Sequence, residues 1–144
     1  MVGLATVQQS AALPFVIQEE TLKLLLVTSI GTKRWIIPKG HLEPGLTASE
    51  SAEAEALEEA GVLGNMTPRS IGTYRYRKRP EKGGDLCRVR VYALEVTRVL
   101  EKYPEAGLRR RRWMSVSKAI KAVQEPDLKA LIERFEKERL KAAA

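Results

Sequence analysis

Apolar residues are grouped unevenly along the chain. "SAALPFVI" and "LKLLLVTSI" are short and rich in branched side chains, and the polar "QEET" lies between them, which predicts two strands joined by a turn. "RWIIP" predicts a third strand that stops at Pro38, because proline cannot donate to a sheet ladder. From Thr47 the pattern changes. Thr47 followed three residues later by Glu50 is a capping-box pattern, and Gly61 tolerates the left-handed conformation that ends a helix, so one helix of about four turns should lie between them. Beyond Pro68, "SIGTYRYRKR" and "LCRVRVYALEVTRV" alternate as strands of a long hairpin with "PEKGGD" as its turn. A strand near "RRRWM", a short helix in "SVSKAIKAVQE" and a last helix opening at Pro126 follow. In that last helix Leu128, Leu131, Ile132 and Phe135 recur at core-facing intervals. Strands, helix, strands, helices, without regular strand-helix alternation, predict the α/β class and an α/β/α sandwich around a mixed central sheet.

A chain of 144 residues, 44% hydrophobic and 30% charged, suits one globular domain spanning residues 1–144. The lone Cys87 cannot form an internal disulfide, the Met1 end lacks the basic start and apolar run of a secretory signal, and no window approaches a membrane span. A soluble protein of the reducing cytoplasm is expected. The net charge of +7 and pI of about 9.7 imply attraction to polyanions without choosing among phosphates, nucleic acids and acidic lipids. The charge is segregated: basic residues crowd "YRYRKRP", "CRVRV" and "RRRRW", whereas the densest acids lie between Glu43 and Glu59.

That acidic cluster is either the wet face of a helix or a metal site. Glu55, Glu58 and Glu59 stand at i, i+3 and i+4, so the helical period should bring all three to one face, where their repulsion calls for a cation. A hard divalent ion such as Mg²⁺ takes oxygen ligands and keeps waters for exchange with phosphate. Glu55 and Glu59, one turn apart, are the natural pair to hold it, which leaves Glu58 to deprotonate an attacking water. Glu-rich surface helices are common, but here "PKGHLEPG" sets Gly40 and Gly45 just before the helix, where backbone can approach a ligand and carbonyls can join a metal shell.

Loop and helix together resemble the signature of the Nudix hydrolase family: G, five residues, E, seven residues, R-E-U-x-E-E-x-G-U, with U aliphatic. Gly40, Glu55, Glu58, Glu59, Gly61 and Val62 fall at the required intervals. Leu46 replaces the first Glu, Ala54 replaces the Arg, and Ala56 holds an aliphatic position. In the family that Glu and Arg brace loop against helix. Losing both leaves no unpaired buried charge, and an apolar Leu46 contact near Ala54 is expected to replace the brace. "WIIPKG", "IGTYRYRKR" and "RRRRWMSVSKAI" extend the likeness over nearly the whole chain, most of all to the group of diphosphoinositol-polyphosphate and diadenosine-polyphosphate hydrolases.

The resemblance implies Mg²⁺- or Mn²⁺-dependent hydrolysis of a pyrophosphate bond in a nucleoside- or inositol-linked diphosphate. Glu55, Glu59 and Gly40 would be metal ligands, Glu58 the base, and Lys39, Arg75, Arg77, Arg88 and Arg90 the contacts to a phosphorylated small molecule. A homodimer is left open, since dimers occur in parts of the family. One competing reading is a catalytically retired module of the same fold that binds a nucleotide or RNA. Another is a basic RNA-binding domain, disfavoured by the acidic centre and the lack of an aromatic recognition motif. Glu105 in "YPEAG" is a further candidate ligand or base if its loop folds over the helix, and Glu43 has a similar claim from the motif loop. His41 suits loop structure or a substrate hydrogen bond, Cys87 a buried position, and Trp35, Trp113 and Phe135 the core. An alternating strand can aim only about half of Arg109 to Arg112 the same way, which argues for partial exposure over an RNA patch.

Overall fold

The computed structural model describes residues 6 to 143; the Met1 end, on which the absence of a signal was judged, lies outside the described residues. The strand β1 (Thr6–Gln18) is the spine of the molecule. Along one edge it runs parallel to β7 (Leu86–Val99), from Thr6 opposite Leu86 to Phe15 opposite Glu95. Its other edge is shared. β4 (Lys39–His41) pairs antiparallel with residues 9–11, and β2 (Thr21–Thr28) with residues 15–18. Pro14 sits between these two pairings. The Ala12 N–H donates to the Pro38 carbonyl at 3.0 Å, so the nitrogen two residues on points the same way, into the fork where neither partner is in register. A proline there removes no ladder bond. Glu19 and Glu20, both at positive φ (51° and 64°), make the tight turn into β2.

β3 (Trp35–Ile36) pairs with the end of β2 and ends before Pro38, as expected, but two further strands lie beyond what the sequence shows: β4 follows Pro38 at once and places Gly40 beside Ser10. β5 (Val62–Met66) was not anticipated, because "VLGNM" is too short and too mixed to show a period; it pairs with the far end of β7. The hairpin of β6 (Gly72–Arg77) with β7 and the strand β8 (Arg111–Ser115) on β2 are found as expected, giving an eight-stranded mixed sheet.

Alternation along the central strands builds a core on each face. Leu13, Phe15, Leu24, Leu26, Val89 and Val91 pack under α2 (Val116–Ala122) and α3 (Pro126–Ala143). Leu131, Ile132 and Phe135 of α3 meet them, with the Phe15 and Phe135 rings edge-on at 5.1 Å. On the opposite face Ala12, Leu25, Val27, Tyr92 and Leu94 pack under α1 (Ala48–Glu55) and the single π-helical turn Ala56–Ala60 that continues it. The layers are helix, sheet, helix, as the element order predicts. Trp35 and Trp113 each pack partly buried on one of the cores, and Cys87 is buried. Ala52, Ala56 and Ala60, four residues apart and fully buried, let α1 lie close to the sheet. Glu55 and Glu59 each precede one of these alanines and therefore flank the buried stripe.

Candidate active site

The loop before α1 is fastened by polar contacts. Thr47 Oγ1 accepts from the Glu50 N–H at 3.0 Å, Glu50 Oε1 accepts from the Thr47 N–H at 2.8 Å, and Ser51 Oγ accepts from the Glu43 N–H at 3.0 Å. The Glu50 carboxyl is held below its ordinary range, first by the backbone bond from Thr47. Leu46 is 43% exposed, which corrects the expectation of a sheltered apolar brace: the hydrogen bonds to Thr47 and Ser51 hold this loop instead. Leu46→Glu should therefore change stability by no more than about 0.5 kcal/mol, whereas Thr47→Ala should cost about 1 kcal/mol. Urea unfolding of the two variants checks this; a larger loss for Leu46→Glu would restore the brace.

The three glutamates do not share one face equally. Glu55 and Glu59 are only 8% and 6% exposed, while Glu58 is turned to solvent. In the π-helical turn residues advance by less than the roughly 100° of an α-helix, so Glu59 stays close to the direction of Glu55 while Glu58 lies farther round, toward solvent. The turn ends at Gly61 (φ 65°), where any side chain would collide with the Tyr103 ring. Arg111 stacks over that ring at 4.7 Å and donates to the Ala60 carbonyl at 2.8 Å. Gly40 lies directly beneath Glu55, and even a methyl group there would clash with the Glu55 carboxylate. In an antiparallel ladder bonded pairs alternate, so the Ala12–Pro38 bond puts Ser10 and Gly40 in the next bonded pair. One lone pair of the Gly40 carbonyl thus faces β1, leaving the second for any other partner.

The loop after β7 closes over the helix end. The Glu105 N–H donates to the Glu58 carbonyl at 3.0 Å and the Leu100 N–H to the Gly61 carbonyl at 2.8 Å. Glu59 Oε1 accepts the Lys39 N–H at 3.2 Å, and Glu59 Oε2 faces the Arg109 guanidinium at 3.4 Å. Arg109 also donates to Glu105 Oε1 at 2.7 Å and to the Thr28 carbonyl at 3.2 Å. The sequence gives no notice of the contact between Arg109 and Glu59; the four-residue spacing of Glu105 and Arg109 is its one local signal.

Desolvation in this crowded turn raises the proton affinity of all three carboxyls. Burial, then the hydrogen bond shared with Glu59, then the charges of Glu59, Glu58 and Glu105 push Glu55 up to about 8. Burial also raises Glu59 against the pull of Arg109 and Lys39, and Glu58 is raised by desolvation and then by Glu105. A divalent ion would reverse this cost. Glu55, Glu59 and the Gly40 backbone form a hard-oxygen set suited to Mg²⁺ or Mn²⁺. As they stand, no three His, Cys, Asp or Glu side chains among the described residues converge on one point. Each oxygen of Glu59 also has a partner outside the pair, the Lys39 amide for one and the Arg109 guanidinium for the other.

Strand register places the arginines. Arg75 stands opposite Arg88, and Arg90 stands between Ser10 and Thr73, so Arg75, Arg77, Arg88 and Arg90 share the face that carries α1. Gly40, Ser10 and Arg90 lie in one row across three strands, which sets Arg90 about 10 Å from the Glu55 cradle. Arg75, Arg88 and Arg90 are exposed, and Arg77 donates to the Gly84 carbonyl at 3.0 Å. Like charges directly opposite destabilise a sheet, and an anion laid across them would relieve that cost. The Lys39 side chain does not join this face. Its register with Ala11 sends it to the other side, where its ammonium lies 5.0 Å from the centre of the Tyr76 ring and burial lowers its pKa; only its amide reaches Glu59. His41 is exposed on β4, not in a loop. Arg109 to Arg112 alternate as expected: the odd pair serves the acidic helix, and Arg110 and Arg112 flank Trp35 at 5.7 and 5.6 Å.

A family model described as NUDIX domain matches residues 7–135. Nudix hydrolase 12, mitochondrial, of Arabidopsis thaliana is 33% identical over 118 residues, which cover 79% of this chain and 58% of the relative. Human diphosphoinositol polyphosphate phosphohydrolase 3-alpha is 34% identical over 119 residues, covering 81% of this chain and 69% of the relative. The chain thus spans about three fifths of the length of the first plant relatives, 58% and 61% of two of them. A solved Ap4A hydrolase from C. elegans matches with a TM-score of 0.67 at 20% identity, over 91% of this chain and 96% of that one. The NUDIX domain of Shewanella oneidensis NrtR, solved with ADP ribose, matches with a TM-score of 0.70 at 18% identity, over 94% and 89%. At these identities the structural likeness establishes the fold.

Proposed function

From the premise that this chain belongs to the Nudix hydrolase family, we propose that it hydrolyses a pyrophosphate bond in a nucleoside- or inositol-linked diphosphate. The observation that carries this reading is the common face of the acidic helix turn and the arginine strands, about two strand spacings apart, roughly 10 Å. A substrate with several phosphates can lie across both. Arg75, Arg88 and Arg90 neutralise the phosphates that do not react, and Glu58, exposed and with its proton affinity raised toward working pH, takes the proton of the attacking water. Glu55 and Glu59 over the Gly40 backbone would hold Mg²⁺ or Mn²⁺. Such an ion supplies polarisation of a phosphoryl oxygen and a more acidic water. Glu105, hydrogen-bonded through its amide to the Glu58 carbonyl, keeps the loop carboxylate beside the base.

The density of arginine supports inositol-linked diphosphates as the first substrate class to test, in line with the name of the human relative at 34% identity. A panel of diphosphoinositol polyphosphates, diadenosine polyphosphates, nucleotide sugars and nucleoside triphosphates, each with and without Mg²⁺ or Mn²⁺, decides. Metal-dependent phosphate release on at least one class is expected. Binding without turnover on every class would favour a retired binding module. The paired change Arg88→Ala and Arg90→Ala should lower kcat/KM roughly tenfold or more on the most phosphorylated substrates and far less on nucleotide sugars. Equal losses across the panel would remove these arginines from selective recognition.

A further inference from the structure

We infer that Arg109 is a built-in counter-cation of the acidic site, which must release Glu59 when a divalent ion is taken up and so sets the affinity for that ion. The inference rests on the hydrolase reading in one respect: Glu59 is a ligand. The Arg109 side chain is only 12% exposed, and its three nitrogens reach three elements. Nε meets Glu105 Oε1 at 2.7 Å, one Nη meets the Thr28 carbonyl at 3.2 Å, and the other meets Glu59 Oε2 at 3.4 Å. The remaining oxygen of Glu59 accepts the Lys39 amide at 3.2 Å. Each oxygen of Glu59 therefore already has a partner of positive character, and no three acids among the described residues converge in this arrangement.

A guanidinium does not lose its proton at working pH, so its charge stays where the ion must come. Partial burial protects that repulsion from screening by salt. The three contacts are unequal. The one to Glu59 is the longest, and Glu105 and Thr28 would still hold the guanidinium after it breaks. Release of Glu59 is then a small swing about two kept anchors. The loop has ties besides Arg109, because the Glu105 amide is bonded to the Glu58 carbonyl and the Leu100 amide to the Gly61 carbonyl.

The test uses the full chain with Mn²⁺ alone, counting free Mn²⁺ by electron paramagnetic resonance. Arg109→Gln should bind Mn²⁺ about three- to tenfold more tightly than the parent. It should also melt lower than the parent in EDTA and gain more from saturating Mn²⁺. Unchanged or weaker binding overturns the inference, weaker binding making Arg109 a residue that orients Glu59. A parent that takes up no Mn²⁺ defeats the hydrolase reading as well; a parent that binds it, beside an indifferent Arg109→Gln, defeats this inference alone. A second measurement needs no variant. With ¹⁵N-labelled arginine in the parent, saturating Mg²⁺ should shift the Arg109 side-chain resonances, and a spectrum in which they stay put overturns the inference.

Discussion

Glu58→Gln is expected to lower turnover by about two to four orders of magnitude while changing substrate affinity much less. The amide keeps the size and the hydrogen-bonding reach of the side chain but cannot accept a proton from water. Glu58 is the one carboxylate of its helix turn that faces solvent, and the neighbouring Glu105 raises its proton affinity after desolvation has done so. Glu105 is its rival for the role, since the loop brings it alongside. The parallel variant Glu105→Gln separates them by kcat and KM on the best substrate of the panel. If Glu58→Gln loses less than about tenfold and Glu105→Gln loses far more, the base is Glu105.

Changes at the buried pair should be as large and should carry a signature in pH. Glu59→Gln and Glu55→Gln are each expected to abolish most metal-dependent turnover, because each removes an anionic oxygen from the only deeply seated carboxylate pair of the helix. The folded protein holds the Glu55 proton up to about 8, against an ordinary value of 4.5. A carboxyl whose folded pKa is raised contributes stability that is complete below the unfolded value and is lost as pH rises through the folded one. In EDTA the melting temperature of the parent should therefore fall between about pH 5 and about pH 8.5 more steeply than that of Glu55→Gln. Saturating Mg²⁺ should reverse the order, because the ion binds the ionised carboxylate. Parallel pH slopes for the two proteins in EDTA would show that Glu55 is not the group responsible.

The features legible in the sequence are those that depend on near neighbours. Thr47 and Glu50 cap a helix because both partners lie within one turn, and Gly61 ends it by its own backbone freedom. The arginines of "YRYR" and "RVR" share a face because side chains alternate on any strand. Glu55 and Glu59, four residues apart, remain buried together through the π-helical turn, inside the 7–135 span that the family model matches. Tertiary structure decided the rest. Which side of the sheet Lys39 takes follows from its register with Ala11, and nothing within β4 specifies that partner. Leu46 is apolar yet lies on the surface because Thr47 and Ser51 tie the loop by hydrogen bonds. Glu105 and Arg109 enter the site from a loop some fifty residues beyond Glu55, a separation that no local period spans. A repeat along the chain records which way a side chain points from its own backbone; what it meets there depends on where a distant segment has been packed.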